Sequence, residues 1–344
     1  MRRFSAHYVY TNLGAPLKNG VIEVDNNGEI VNIIDTKGEL KESRKLEFYN
    51  GVIVPGFINS HCHLELSELK GKVDSEKGLP GFLLNIFNYK KEPKNTETLQ
   101  AIEQNDWLMK RNGIVAVGDI SNTNQTIEVK SKSNIHYHTF IELIGLGENA
   151  HEIFEKNLSL SIEFKEKGLL TSLSPHAPYS VSKELFELIK NHAKENNSIT
   201  TIHNQETESE NEMFVNGKGS LAEALISFGI ECRLIPFTGQ KSLESIYKFL
   251  PEENNILLVH NLYTTHDEIN NISEKNKNVY WCLCPLSNLF IEQKIPNVNN
   301  FGEYFDRVTL GTDSLASNNT LSILEEMKAL INAYPEIEFS QLIK

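Results

Sequence analysis

Apolar residues are unevenly distributed along this chain of 344 residues. From residue 57 onward, short apolar runs alternate with longer stretches in which apolar residues recur at helical spacing. The runs are Phe57–His63, Ile114–Ile120, Ile135–Leu143, Leu169–His176, Ile199–Gln205, Ile256–Leu262, Val279–Pro285 and Val308–Ser314, eight in all. Each is short enough to be a buried strand. Between them, Lys183–Asn196 puts Leu185, Leu188, Ile189 and Ala193 on one helix face, and Ser220–Phe228 repeats the pattern. Eight strand–helix units in about 260 residues predict an α/β fold of the (β/α)8 TIM-barrel type over 55–344. The structural alternative is a doubly wound sheet, but no glycine-rich dinucleotide turn follows the first strand.

The first fifty residues follow a different rhythm. Phe4–Tyr10 and Gly20–Val24 carry β-branched and aromatic residues, and Asp25-Asn26-Asn27-Gly28 is a hairpin turn signal with Ile30–Ile34 as the partner strand. Gly51 to Gly56 then marks the change of character. Asparagine pairs such as Asn196-Asn197 and Asn270-Asn271 read as turn material.

Composition narrows the classes. Thirty-three basic residues against 46 acidic ones give a net charge of −13, which argues against nucleic acid or an anionic membrane as partner. Four cysteines (Cys62, Cys232, Cys282, Cys284) make no disulfide framework and fit a reducing, cytoplasmic setting. The N-terminus lacks the apolar run of a signal peptide, and no stretch approaches 18 apolar residues.

The runs share a further feature: His61, His63, Asp119, Glu142, His176, His203, His260 and Asp313 sit at or near their C-terminal ends. In a barrel those ends converge on the face that carries active sites. His61 and His63 are alternate strand residues, so both imidazoles share a face and can chelate one ion. A lone His-X-His is a weak signal, and His136-Tyr137-His138 is a second one. Context separates them: the first pair ends a strand after a Pro-Gly break, whereas the second begins one, at the stability end of a barrel. His203, His260 and Asp313 are each more often structural when met alone. Together with the first pair they offer a nitrogen and oxygen set suited to Zn2+ or Fe2+, with room for a water. Cys282 and Cys284 share a face but lack partner cysteines at matching spacing, and Cys62 reads as a packed thiol.

These residues resemble the amidohydrolase superfamily, in its branch of metal-dependent aminohydrolases. The resemblance spans nearly the whole chain and rests on VIVPGFINSHCHLE, SPHAPYSVS, IHNQETESE, LLVHNL, CLCPLSNLFI and GTDSLASNNTLSILEEM, in that order. It implies His61, His63, His203 and Asp313 as ligands of one divalent metal, Zn2+ ahead of Fe2+. Glu206 would be the proton-shuttling acid, His260 would orient the attacking water, and Asp313 would share in its activation. It implies His176 as a substrate contact; Glu65, Glu142 and Ser314 are further substrate-contact candidates, with loop anchoring as the plain alternative for Glu65. Ser287 and Asn288 are expected to shape the seventh loop. The fourth strand ends in Ser174-Pro175-His176 without a lysine, which disfavours a two-metal site bridged by a carbamylated lysine. The resemblance also implies a small β-sandwich domain begun by residues 1–54. Family members complete it with strands after the barrel, whereas this chain stops at Ser340-Gln-Leu-Ile-Lys344, so an incomplete or reduced small domain is expected.

The chemistry follows from the residue types. A bound divalent ion lowers the pKa of its water towards about 7. Attack on an amidine-like ring carbon pushes electrons onto the adjacent ring nitrogen; Glu206 protonates it, and later transfer to the exocyclic nitrogen makes ammonia the leaving group. A carboxylate serving both transfers needs a raised pKa, which a dry pocket floor provides. The expected function is deamination of a purine-type base or nucleoside, aminofutalosine or another adenosine derivative. The alternatives are hydrolysis of guanine, cytosine, an imidazolone or a chlorotriazine, or a metal-binding barrel without chemistry. Leu79, Phe82, Leu83, Phe87 and Tyr89 lie at helical spacing in the segment after the first strand, as the core side of a helix or an apolar cover over the base. A homodimer is left open.

Overall fold

The computed structural model describes residues 1–42, 45–76, 78–89, 96–147, 149–230, 235 and 237–343. The strands are β1 (Arg2–Val9), β2 (Leu17–Lys18), β3 (Val21–Val24), β4 (Ile30–Ile34), β5 (Leu46–Ile53), β6 (Phe57–Cys62), β7 (Ile114–Ser121), β8 (His136–Leu143), β9 (Leu170–Pro175), β10 (Thr200–Asn204), β11 (Ile256–His260), β12 (Val279–Leu283) and β13 (Val308–Leu310). The helices are α1 (Gly78–Tyr89), α2 (Thr96–Arg111), α3 (Ile127–Lys132), α4 (Ala150–Glu166), α5 (Lys183–Asn196), α6 (Glu208–Asn216), α7 (Ser220–Ser227), α8 (Ser242–Ile246), α9 (His266–Lys275), α10 (Pro285–Glu292), α11 (Ile323–Ala333) and α12 (Phe339–Leu342). All eight apolar runs contain a strand, β6 to β13.

Two compact units emerge. In one, formed by residues up to 57 together with those from 338 on, β1 pairs antiparallel with β3 and parallel with β5, and β3 pairs with β4. The β3–β4 turn forms because Asp25 Oδ1 accepts from the backbone N–H of Asn27 and Glu29, at 2.8 and 2.9 Å, and Gly28 takes φ +91°. Strand β5, which the apolar pattern reveals only as the Gly51–Gly56 fragment, is largely exposed and so carries a weak signal. The end of the chain joins this unit: Tyr10 and Phe339 meet edge to face at 5.6 Å, and Asn12 Nδ2 donates to the Ile343 carbonyl.

The other unit, Ile58–Ile337, holds two four-stranded sheets, β6-β7-β8-β9 and β10-β11-β12-β13. Strands β7, β8 and β9 pair parallel in the first, and β10 to β13 pair parallel in the second. Between β9 and β10 the His203 N–H donates to the His176 carbonyl at 2.9 Å. Between the end of β6 and the residues after β13, Cys62 and Asp313 form a parallel bridge, and the N–H groups of Thr312 and Asp313 both donate to the His61 carbonyl at 3.0 Å. Helix α5 shows why the helices form where they do. Ser182 caps its first turn by accepting from Leu185 N–H, Asn197 ends it in the left-handed region, and Leu185, Phe186, Ile189 and Ala193 are buried. Leu188 is half-buried, so the apolar face is centred one position from the expected stripe. Among the described residues, no helix is long and apolar enough to cross a membrane.

Candidate active site

The strand ends turn sharply. Gln205, His260, Asn261 and Asp313 all have positive φ, +46°, +73°, +54° and +56°, a costly conformation for residues with a Cβ. Hydrogen bonds hold it. Asn204 Nδ2 donates to Asn261 Oδ1 at 3.0 Å, while Asn261 Nδ2 donates to the carbonyls of Leu258 and Cys282. Asn59 and Thr312 exchange two bonds, at 2.7 and 3.0 Å, which tie β6 to the Asp313 turn. Gly311 is required there: a Cβ would lie 2.7 Å from the His61 Cβ and 2.9 Å from Cys282 Sγ.

These turns bring the histidines together. His63 Nε2 lies 3.2 Å from His61 Nε2 and 3.3 Å from His203 Nε2. Asp313 Oδ1 is 3.7 Å from His61 Nε2 and 3.4 Å from His63 Nε2. The His176 carbonyl can only accept, so His203 Nδ1, 2.8 Å away, carries the proton and its Nε2 presents a lone pair. Burial, then the imidazoles of His203 and His63, hold His61 well below its usual range. Burial lowers His203 too, against the opposing pull of Glu142, and takes His260 to about 3. Burial would raise Asp313, but His63, His260 and hydroxyl bonds from Ser287 and Ser317, at 2.6 and 2.7 Å, keep it below the usual carboxylate range. Imidazole nitrogens and a carboxylate oxygen gathered this closely make a donor set that suits a divalent ion.

Glu206 lies beside this cluster, 4% exposed, with Oε1 3.5 Å from His260 Nε2. Burial first, then the negative charges of Asp313, Glu210 and Glu292, raises its pKa well above the usual value. Asn288 Nδ2 donates to His260 Nδ1 at 3.2 Å, so the proton of a neutral His260 sits on Nε2, which makes no hydrogen bond of its own.

Over the cluster opens a cavity of about 190 Å³. Its polar end is lined by His63, His203, Glu206, His260 and Asp313, with His176, Glu142 and Ser314 beside them. Its outer wall is apolar: Leu79, Phe82, Leu83, Ile86 and Phe87 of α1 face Leu225 and Phe228, and the Phe87 and Phe228 rings stack at 5.5 Å. The side chain of Tyr89 and all of Cys232 fall outside the described residues. Glu65 is absent from the lining. Its Oε2 instead accepts from Asn122 N–H, Thr123 N–H and the Thr123 hydroxyl, which anchors the loop after β7. His138 bonds Ser172 Oγ and does not join the cluster. Cys62, Cys282 and Cys284 are buried free thiols.

The amidohydrolase family pattern matches residues 52–344. This chain belongs to the amidohydrolase family. It is a hydrolase acting on carbon–nitrogen bonds, with a TIM-barrel-like α/β fold. The amidohydrolase is 28% identical over 303 residues to the adenosine deaminase of Helicobacter pylori, covering 86% of this chain and 72% of that protein. It is 25% identical over 299 residues to the aminodeoxyfutalosine deaminase of a Nitratiruptor species, covering 86% and 71%. The crystal structure of Helicobacter pylori aminofutalosine deaminase in complex with methylthio-coformycin superimposes with a TM-score of 0.83 at 24% identity, over 98% of this chain and 83% of that one.

Several contributors were not legible as such. Ser317, four residues after Asp313, and Asn204 and Asn261 hold the site through bonds that no spacing announces. Ser287 and Asn288 do more than shape a loop, since each bonds directly to a cluster member.

Proposed function

We infer that this chain is a metal-dependent hydrolytic deaminase of a purine-type base or nucleoside, with aminofutalosine or another adenosine derivative as substrate. The observation that carries the reading is Glu206, a buried carboxyl with a raised pKa that faces His260 beside the three-histidine, one-aspartate cluster. A heterocycle attacked at carbon needs that acid to protonate its ring nitrogen; the relatives at 28% and 25% identity, both deaminases, support the same reading.

His61, His63, His203 and Asp313 would hold one ion, Zn2+ ahead of Fe2+ for such a nitrogen and oxygen set. When bound, the ion acidifies a water and so supplies hydroxide at neutral pH. Asp313, kept ionised by its neighbours, would accept a proton from the attacking water, and the His260 Nε2 proton would orient its oxygen. Glu206 would give its proton to the ring nitrogen next to the attacked carbon, take up the proton of the newly added hydroxyl and pass it to the exocyclic nitrogen, which leaves as ammonia as the carbonyl forms. His176, Glu142 and Ser314 contact the rest of the substrate, and the α1 wall covers the base and keeps water out. Glu65 acts through the 122–123 loop. The strand order and its two seams support a closed (β/α)8 barrel for the proposed 55–344 region as far as Ile337; the strands of 1–54, proposed as a small β-sandwich segment, form one five-stranded sheet. The free thiols suit a cytoplasmic setting.

The test is ammonia release by protein reconstituted with Zn2+ or Fe2+, across adenosine, methylthioadenosine, S-adenosylhomocysteine, aminofutalosine, guanine and cytosine. Release from an adenosine derivative is expected. Silence across the purines with one metal bound per chain would overturn the substrate class.

A further inference from the structure

We propose that the buried Asp119–Lys130 ion pair is a positioning device for His63, resting on the reading above that His63 is a metal ligand. Neither residue lines the cavity, and the reaction uses neither. Both side chains are 0% exposed, with Lys130 Nζ 2.5 Å from Asp119 Oδ2. The other ammonium protons go to Ser121 Oγ at 3.1 Å and Thr139 Oγ1 at 3.0 Å, so the cation is fully satisfied.

Stability alone does not account for such a pair, because replacing a buried ion pair with apolar side chains is often neutral or stabilising. What an apolar pair cannot do is accept a hydrogen bond. Asp119 Oδ1 accepts from Leu64 N–H at 2.8 Å, the peptide that joins Leu64 to His63. That N–H opens the 3-10 turn Leu64–Leu69 and has no partner within it. His63 itself sits at φ −122°, ψ 79°, outside regular strand or helix geometry. The charge-assisted bond therefore sets the 63–64 peptide plane, and through it the direction in which the His63 imidazole leaves the chain. Its Nε2 must meet two other imidazole nitrogens within 3.3 Å, so a small rotation spoils the set. Lys130 acts through Asp119, by holding its carboxylate in place against Leu64 N–H.

Two neutral pairs separate the bond from the charge, and neither leaves a buried unpaired ion. Asp119→Asn with Lys130→Met retains an acceptor for Leu64 N–H; Asp119→Leu with Lys130→Met removes it. Zn2+ affinity is measured by competition with a chromophoric chelator, and ligand geometry by the visible absorption of the Co2+ form. The Leu/Met protein is expected to bind Zn2+ about 10–100-fold more weakly with shifted Co2+ bands, the usual scale for losing an outer partner of a ligand. The Asn/Met protein is expected to stay within about threefold of wild type, with unchanged bands. Wild-type affinity and bands in the Leu/Met protein would overturn the proposal. If the Leu/Met protein fails to fold, a tenfold loss in the Asn/Met protein would overturn it as well. His63→Ala is the control: if it kept wild-type Zn2+ affinity, the ligand assignment itself would fail, independently of the pair.

Discussion

Replacing Glu206 by glutamine changes one proton and almost no volume. Its carboxyl is 4% exposed and stands 3.5 Å from His260 Nε2. Two other buried carboxyls lie near enough to consider as substitutes. Asp313 is held below the usual range by His63 and His260 and is already ionised. Glu210 is occupied on both oxygens, which accept from the N–H groups of Gln205 and Glu206 at 3.1 and 3.3 Å. With no stand-in, the loss falls at the upper end of what a general acid contributes, about 10³–10⁴-fold in kcat, or roughly 4–5 kcal/mol on the barrier. Glu206 is not one of the four candidate ligands, so the variant keeps one metal per chain by elemental analysis. Burial raises the Glu206 pKa, so its protonated form persists to higher pH than in a free carboxyl and is lost as pH rises further; the wild-type rate therefore has an alkaline limb that the residual Glu206→Gln rate lacks. Ammonia release against pH reads both. Turnover above a tenth of wild type with metal in place, or an unchanged alkaline limb, would refute the reasoning.

Three further outcomes follow from the same geometry. Asp313→Ala removes the only carboxylate of the ligand set, so metal content after dialysis and turnover should both collapse; retention of stoichiometric metal would remove Asp313 from the set. Phe82→Ala opens the apolar wall and should raise KM for the accepted nucleoside about 30-fold with kcat little changed, on the scale of burying one aromatic side chain; an unchanged KM would show that α1 does not cover the substrate. His138 is held neutral, first by burial and then by the Lys130 charge, with its pKa lowered to about 4. A depressed imidazole contributes stability that is present above its unfolded value of 6.5 and is lost as pH falls through the folded value. Wild type should therefore lose about 3 kcal/mol between pH 6.5 and 4 that His138→Gln does not, measured by urea unfolding; parallel acid limbs would exclude it.

Local chemistry made much of the protein legible. The β6–β13 strands fall in short segments rich in apolar residues, and the polar residues at their ends are those a barrel would gather, so His61, His63, His203, His260 and Asp313 could be picked out from the sequence. The hairpin at Asp25–Gly28 is likewise local, because the Asp25 side chain bonds its own backbone two and four residues away. Strand β5 was only a fragment in the pattern, since a largely exposed strand does not need an apolar run.

Tertiary structure alone decided which of the available polar groups bond to which. Glu65 stands two residues from a candidate ligand, yet its carboxylate goes to the 122–123 loop, because three donors there outcompete an apolar cavity. Ser287, Asn288 and Ser317 gain their roles only when separate turns place a hydroxyl or an amide against Asp313 or His260. The Asp119–Lys130 pair bonds a peptide 55 residues away in the chain. Residue type and strand periodicity are written locally and survive in one dimension. The protonation of Glu206, the tautomer of His203 and the aim of His63 depend on burial and on partners brought from distant segments, and these exist only once the chain has folded.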